Sequence, residues 1–219
     1  MKKFLLIRKI EKYERNVDEH LDDPVYLQKL AEMYFRISER KLAIEYYHKA
    51  IEAYYQEDSR LGQNNEFILT LCWKLLKLDP LDMIAYRTLG QEYCSLGEFE
   101  EAAKLYRSFA MKLAKAGLYD EAILQYRNAL VLFPDDIKVR QKCFSLLWRR
   151  HRKEETVQEL KKIAEIAERM GNIAKAAECY QKALKIIPSS AEFQGELRRL
   201  VQLHRHGENQ LRLVVNNDV

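Results

Sequence analysis

Glycine and proline are scarce in this chain of 219 residues, which has seven of the former and four of the latter. Because these residues mark most turns, connections must be short and most of the chain must lie in long regular elements, which favours helix throughout. Long apolar runs are missing as well. No stretch approaches the roughly 18 apolar residues of a membrane span, and the N-terminal run Phe4–Ile7 is too short for a signal peptide. We therefore expect a cytoplasmic protein with no membrane span.

Catalytic and metal-binding motifs are also missing. The sequence has no glycine-rich phosphate loop, HExxH motif or nucleophile elbow, and its five histidines do not cluster with carboxylates at ligand spacing. The four cysteines are far apart and form no CxxC pair, which argues against a zinc site, redox catalysis or a disulfide framework. We expect reduced and mostly buried thiols at Cys72, Cys94, Cys143 and Cys179. The sequence thus predicts no enzyme, no metal site and no cofactor.

The chain instead repeats itself with a fixed period. The stretch VQELKKIAEIAERMGNIAKAAECYQKALKIIP, residues 157–188, matches the stretch 54 positions earlier at five points. The matching pairs are Gly117 and Gly171, Ala122 and Ala176, Tyr126 and Tyr180, Ala129 and Ala183, and Pro134 and Pro188. Pro80 lies a further 54 positions before Pro134. Recurrence at one offset is the signature of a repeat array.

A second pattern, of aromatic and small residues at fixed spacing, indicates the type of repeat. Residues 83–134 contain Tyr86-x2-Leu89-Gly90-x2-Tyr93 and then Ala102-x3-Tyr106. Residues 25–55 carry the corresponding Leu30-Ala31, Tyr34, Ala43 and Tyr47 at an offset of 59. This pattern resembles the tetratricopeptide repeat (TPR), whose W-x2-L-G-x2-Y, A-x3-F and P positions span about 34 residues. Tyrosine here takes the place of both large aromatic residues. The resemblance implies a stack of helical hairpins that serves as a protein-binding scaffold.

The TPR resemblance implies an all-α, TPR-like right-handed helical solenoid. Its antiparallel helices number about eleven by their periodicity and fall into three units of about 54 residues. Gly97, Gly117 and Gly171 should end helices, because glycine takes a positive φ without a Cβ penalty. The expected segments are an N-terminal capping helix at 1–23, a repeat array at 24–188 with units 24–80, 81–134 and 135–188, a C-terminal capping helix at 189–205 and a flexible tail at 206–219.

The N-terminal part is expected to depart from the regular pattern in two places. The offset of 59 exceeds the later offset of 54 by five residues, which fall in QEDSRLGQNN at 56–65. We expect a loop there, either a tolerated insertion or a binding loop. The capping helix is expected to run from 2 to 20, before the turn Asp22-Asp23-Pro24.

The TPR resemblance also implies where a partner would bind. Members of the family commonly hold a partner segment in the groove lined by the first helix of each hairpin. At the corresponding positions this chain has Gln28, Glu32, Arg87, Gln91, Arg107 and Met111. It lacks the combination of lysine and asparagine with which one subset of the family clamps a C-terminal carboxylate, so a chaperone-tail co-factor is not expected. Tyr46 and Tyr55 either offer exposed aromatic contacts or pack against the adjacent helix.

One segment has a strong charge bias. IKVRQKCFSLLWRRHRK, residues 137–153, contains seven Lys and Arg and no Asp or Glu, whereas the rest of the chain has 30 basic and 33 acidic residues. The predicted basic patch consists of Lys138, Lys142, Arg149, Arg150, Arg152 and Lys153. These cations either stay solvated where they interact favourably with the helix dipole, or they form a docking site for an acidic protein segment or for nucleic acid phosphates.

These observations together predict a non-catalytic adaptor. It would bind a segment of a partner protein, with an acidic segment as one alternative, and support the assembly or regulation of a multiprotein complex. The alternative is a nucleic-acid-binding helical repeat protein that acts through the basic helix 137–153. A homodimer is compatible with the adaptor, because an uncapped end of a helical stack exposes apolar area.

Overall fold

The computed structural model describes residues 2–61 and 65–203, and all regular structure within these ranges is helical. The α-helices are α1 (Lys2–Arg15), α2 (Pro24–Arg36), α3 (Arg40–Leu61), α4 (Asn65–Leu78), α5 (Met83–Ser95), α6 (Phe99–Lys115), α7 (Tyr119–Leu132), α8 (Ile137–Arg149), α9 (Lys153–Arg169), α10 (Ile173–Ile186) and α11 (residues 191–203). A short 3-10 helix, Val17–His20, follows α1. The predicted all-α, TPR-like fold is confirmed.

Aspartate side chains begin three of the helices in the same way. Asp23, Asp82 and Asp136 each accept a hydrogen bond from the backbone N–H three residues later, at 2.9, 2.7 and 3.1 Å. Such N-caps satisfy backbone donors that have no partner within the helix. The caps of α5 and α8 are 54 residues apart, so the cap belongs to the repeat.

A common turn ends five of the helices. Ser38, Gly97, Gly117, His151 and Gly171 all have a positive φ, between 57° and 82°. In each turn the next residue donates its backbone N–H to a carbonyl five residues back, as Glu98 does to Tyr93 at 2.8 Å. This is the Schellman arrangement of a helix C-terminus. The prediction that the three glycines end helices is confirmed.

The chain forms two compact units. In the first, Met1–Leu105, each of the helices α1 to α4 packs against the next helix along the chain. Every helix from α2 to α5 contributes a completely or almost completely buried side chain, namely Leu30, Ala43, Leu71 and Leu89.

The second unit, Tyr106–Val219, has two apolar clusters. One contains Ala110 of α6, Tyr126 of α7 and Cys143 of α8. The other contains Leu160 of α9, Tyr180 of α10 and Phe193 of α11. The division of the array into units 24–80, 81–134 and 135–188 stays a prediction.

Two boundaries in the N-terminal part were predicted incorrectly. The loop expected at 56–65 is mostly helix, because α3 continues to Leu61 and α4 begins at Asn65. Residues 56–61 include good helix formers and neither glycine nor proline, so nothing in them breaks α3. The first helix stops at Arg15 rather than at 20. The Tyr26 hydroxyl donates to the Tyr13 carbonyl at 2.7 Å, and Asn16 leaves the helical conformation at φ −111° and ψ 9°.

Other expectations from the sequence concern the C-terminal residues, the cysteine thiols and membrane-spanning helices. Residues 191–203 of the predicted C-terminal capping helix are helical, whereas 204–205 and the predicted tail 206–219 lie outside the described residues. The four cysteines are free, and three of them are buried. Burial raises the pKa of Cys72 to about 12, so this thiol stays protonated and unreactive at neutral pH. Within the described residues, no helix is both long enough and apolar enough to cross a membrane.

Candidate protein-binding clefts

A cleft of about 450 Å³ opens in the second compact unit between helices α6, α7 and α8. It is lined by Arg107, Met111, Tyr126, Asp136, Lys138, Val139 and Lys142. We call it the α6–α8 cleft. It brings together two residues of the predicted groove, Arg107 and Met111, with two residues of the predicted basic patch, Lys138 and Lys142.

Helical spacing and one N-cap fix the geometry of the α6–α8 cleft. Arg107 and Met111 are four residues apart on α6, as Lys138 and Lys142 are on α8, so each pair shares one helix face. Asp136 holds both helices through its carboxylate. Its Oδ1 accepts the N–H of Val139 at 3.1 Å, and its Oδ2 lies 3.3 Å from a guanidinium nitrogen of Arg107.

The cleft has a positive rim and an apolar floor. Asp136 pairs with Arg107, but within the described residues neither Lys138 nor Lys142 has a carboxylate within 4.0 Å, and both lysines are exposed. Tyr126 and Val139 are buried beneath them, and burial raises the pKa of the Tyr126 hydroxyl. Half of the Met111 surface, 50%, is exposed. Two free cations therefore border apolar surface that a ligand can cover.

The other end of the predicted basic patch is occupied by contacts within the chain. Arg150 pairs with Asp120 at 2.9 Å, and Arg152 pairs with Asp120 at 3.2 Å and with Glu155 at 2.6 Å. Hydrogen bonds from Arg152 lower the pKa of Glu155, so this carboxylate is ionised at neutral pH. Arg149 lies over the ring of Tyr119, 4.6 Å from its centroid. Each of these arginines thus already has a partner within the chain, and Arg150 and Arg152 are paired with carboxylates.

The two basic residues of the segment that have not yet been described, Lys153 and Arg140, have opposite environments. Lys153 begins α9 and is exposed. Arg140 is buried and donates to Glu159 at 2.9 Å and to the carbonyl of Pro134 at 2.7 and 2.9 Å. The acid-free segment therefore forms no single continuous positive surface.

A second cleft, of about 460 Å³, lies in the first compact unit between α2, α3 and α4. Of the predicted groove residues it contains Glu32, which accepts hydrogen bonds from Lys74 at 2.6 Å and from Gln28 at 3.1 Å. Burial acts to raise the pKa of Glu32, but these two hydrogen bonds leave it lowered. Gln28 also accepts from the Tyr54 hydroxyl at 3.4 Å. The carboxylate that lines this α2–α4 cleft is therefore already paired within the protein.

The remaining predicted binding residues lie elsewhere. Arg87 and Gln91 are exposed on α5 and line neither cleft. Tyr46 is only 9% exposed and stacks on Tyr34 at 5.5 Å, as the packing alternative required. Tyr55 is partly exposed, and its hydroxyl donates to the buried carboxylate of Glu92.

Sequence reasoning missed Tyr126, Asp136 and Val139 as lining residues of the α6–α8 cleft. The repeat itself contains a signal for Asp136. Its equivalent 54 residues earlier, Asp82, also caps a helix and also accepts from a cationic or polar side chain, His48, at 2.8 Å. An aspartate at this repeat position joins two helices.

The hairpin of α9 and α10 is the part of the chain that matches a family model. Helices α9 and α10 pack against each other, with Gly171 in the turn between them. A model of the tetratricopeptide repeat matches residues 157–190, which cover this hairpin. This hairpin is a tetratricopeptide repeat, and the sequence pattern of the other hairpins resembles it. TPR units are protein-interaction modules, so this protein is in general terms a protein-interaction scaffold.

Solved structures with similar helical folds include one that is described as a TPR protein. MamA is 20% identical over 78% of this chain and 87% of its own, with a TM-score of 0.31. YrrB, described as a TPR protein with an unusual peptide-binding site, is 17% identical over 85% and 97%, with a TM-score of 0.27. BtubC from P. vanneervenii is 15% identical over 94% and 92%, with a TM-score of 0.38. TM-scores this low support no functional inference. A search among curated proteins gives no match.

Proposed function

We propose that this protein is a non-catalytic adaptor that binds an acidic segment of a partner protein in the α6–α8 cleft. By holding that segment it supports the assembly or regulation of a multiprotein complex. The observation that carries the proposal is the position of Lys138 and Lys142 beside the apolar surface of Met111, Tyr126 and Val139.

Charge favours an acidic ligand in this cleft. Arg107 is neutralised in part by Asp136, whereas the two lysines have no carboxylate within 4.0 Å among the described residues. A ligand carboxylate can therefore pair with either lysine without first breaking an ion pair of the protein. Complementary charge also increases the rate of encounter and selects against basic segments.

The apolar floor favours a peptide that carries an aliphatic or aromatic residue among its acids. Met111 is half exposed, and methionine adapts its shape to different apolar partners. Burying apolar surface supplies affinity, and the flanking charges supply selectivity. The ligand expected here is a short segment with an apolar anchor between carboxylates.

The pairing of Arg150 and Arg152 with Asp120 and Glu155 weakens the case for nucleic acid at the same helix. A phosphate backbone would have to compete with carboxylates for these arginines. Nucleic acid binding is therefore an outcome of the test and is not proposed.

The test uses the full chain and a fluorescent peptide that carries one leucine between two pairs of glutamates. We expect K138E/K142E to weaken binding about tenfold, because reversing two exposed charges removes roughly 1.4 kcal/mol. The matched control, K162E/K185E, makes the same change of net charge at two exposed lysines outside the cleft and should change the affinity less than about twofold. Measurements of fluorescence anisotropy at low and moderate salt give both values.

Two results would overturn the proposal. One is equal weakening by the cleft and control variants, because the peptide would then respond only to net charge. The other is tighter binding of a single-stranded oligonucleotide than of the peptide, with a loss on R149A/R150A/R152A, which would place nucleic acid on the basic helix.

A further inference from the structure

The N-terminal helix α1 is attached to the first compact unit by one face only. Ile10 is buried, and the ring of Tyr13 stacks on Tyr26 at 4.5 Å. The hydroxyl of Tyr26 donates to the carbonyl of Tyr13 at 2.7 Å. These contacts fix which side of α1 faces the protein and leave its first two turns facing solvent.

Large apolar side chains cover the exposed start of α1. Phe4, Leu5 and Ile7 are 58%, 61% and 37% exposed. At about 100° per residue these three side chains spread over about 160° of the helix circumference. They therefore surround the outward side of the helix start and do not line up along the axis.

Basic residues follow directly after these apolar residues in α1. Arg8, Lys9, Lys12 and Arg15 are all exposed, and the guanidinium of Arg8 lies 4.7 Å from the centroid of the Phe4 ring. Two exposed carboxylates, Glu11 and Glu14, lie between them, and Glu14 accepts a hydrogen bond from the Tyr34 hydroxyl. Along the axis, Lys2 and Lys3 precede the apolar layer of α1 and a positive layer follows it, so at a lipid surface lysine side chains must extend back along the helix to reach the lipid phosphates.

This layering distinguishes a membrane surface from a groove in a protein. A helix that lies in a protein groove carries apolar anchors at i, i+3, i+4 and i+7 along one stripe. The residues four positions after Phe4 and Leu5 are Arg8 and Lys9, and the next turn on the same side has Glu11 and Lys12. No stripe continues past Ile7.

We propose that α1 contacts an anionic membrane surface through its N-terminal end. Phe4, Leu5 and Ile7 enter the boundary between headgroups and acyl chains, and the cations from Arg8 to Arg15 lie at the level of the lipid phosphates. The apolar layer is about 5 Å deep along the helix axis and the basic layer about 10 Å, at a rise of 1.5 Å per residue.

The contact is expected to be reversible and to depend on lipid charge. Three apolar side chains alone give marginal binding, and the attraction of basic residues to anionic lipid supplies the rest. The attraction is screened by salt within a Debye length. The proposal is independent of the peptide site in the α6–α8 cleft, so either can fail without the other.

The experiment measures co-sedimentation of the full chain with vesicles of phosphatidylcholine alone or of phosphatidylcholine and phosphatidylserine at about 7:3. We expect binding to the anionic vesicles that falls at least about tenfold in F4Q/L5Q, because the apolar layer is lost. R8Q/K12Q should abolish the preference for phosphatidylserine. The control L124Q/V131Q removes two exposed apolar side chains on α7, with exposures of 53% and 79%, and should bind like the unaltered chain.

Three outcomes would overturn the proposal. They are no binding of the unaltered chain to anionic vesicles, equal binding to neutral vesicles, and equal losses in the control and the F4Q/L5Q variant. Light scattering without lipid adds a fourth, since a fall in molar mass in F4Q/L5Q would assign this apolar end to a contact between two copies. Thermal unfolding by circular dichroism confirms that each variant is folded.

Discussion

At the residue scale, two helix-ending turns have a residue with a Cβ at a positive φ, Ser38 and His151. His151 has φ 57°, at the position that Gly97 occupies 54 residues earlier with φ 76°. Residues with a Cβ lose roughly 1–2 kcal/mol in this conformation. The repeat thus places a strained histidine where its neighbouring unit has a glycine.

We expect H151G to raise the free energy of unfolding by about 0.5–1 kcal/mol, since the relief of strain exceeds the entropy cost of glycine. Urea unfolding followed by circular dichroism measures the change. The mirror substitution G97H should destabilise by about 1 kcal/mol, because a Cβ built at Gly97 meets no atom within 4 Å and only the backbone conformation opposes it. Stabilisation in G97H or destabilisation in H151G would contradict this account.

A second residue-scale feature is the buried pair of Arg140 and Glu159, which are 8% and 5% exposed. We expect R140M to destabilise by about 3–5 kcal/mol, because it leaves Glu159 charged and buried and removes the donors to the Pro134 carbonyl. The double variant R140M/E159M should recover much of that loss. Urea unfolding of the two single variants and the double variant gives the coupling between the two side chains. A double variant whose loss is the sum of the single losses would show that the pair is not coupled.

Equivalent positions in the repeat predict the burial of a residue better than the charge of its segment does. Arg140 was counted only as one of the seven basic residues of its acid-free segment, yet its equivalents at offsets of 54 and 113, Tyr86 and Leu27, are both buried. The repeat pattern therefore marked position 140 as a core position. The pairing of Arg150 and Arg152 with Asp120 and Glu155 could not be foreseen in the same way, because it depends on how α7, α8 and α9 pack.

At the element scale, the caps of α5 and α8 connect helix starts to neighbouring helices. Asp82 is buried, accepts the N–H of Ala85 at 2.7 Å and lies 2.8 Å from His48. Burial acts to raise the pKa of Asp82, but the hydrogen bonds from His48 and Ala85 leave it below the ordinary value of 3.8. The charged form is therefore the one that stabilises the fold. That contribution is complete above pH 3.8 and is lost as the pH falls through the lowered value in the folded state.

We expect D82A to lower the free energy of unfolding at pH 7 by about 1–2 kcal/mol, as the loss of a good N-cap does. The difference from the unaltered chain should shrink as the pH falls below 3.8, because Asp82 is then protonated in the unaltered chain too. Thermal unfolding at a series of pH values checks the direction. A difference that grows toward low pH would contradict it.

The observed helix boundaries show which sequence signals were sufficient to predict where a helix ends. Glycine at fixed spacing correctly placed the ends of α5, α6 and α9, since each of these helices ends next to a glycine with positive φ. The predicted loop at 56–65 was wrong because an insertion was taken for a loop. Five additional residues without glycine or proline lengthen α3 instead, since a helix continues until its backbone bonds are replaced by a cap.

At the scale of the whole molecule, the end of the array must be covered. Helix α11 places Phe193 and Leu200, which are 3% and 0% exposed, into the apolar cluster of α9 and α10. Ion pairs hold its surface side, with Arg199 against Glu168 at 2.6 Å and Lys161 against Glu192 at 2.5 Å. Terminal repeats need such a polar outer face to stay soluble.

We expect a chain that ends at Pro188 to self-associate, because the face of α10 that α11 covers becomes an exposed apolar patch. Its molar mass by light scattering should rise with concentration, and its thermal midpoint should fall. A chain that ends at Leu203 is the matched control, since it keeps all of α11 that the structure describes and should behave like the full chain. If the chain ending at Pro188 had the mass and midpoint of the full chain, α11 would not be a cap. The face of α10 would then be stable in water, and self-association would have to use another surface.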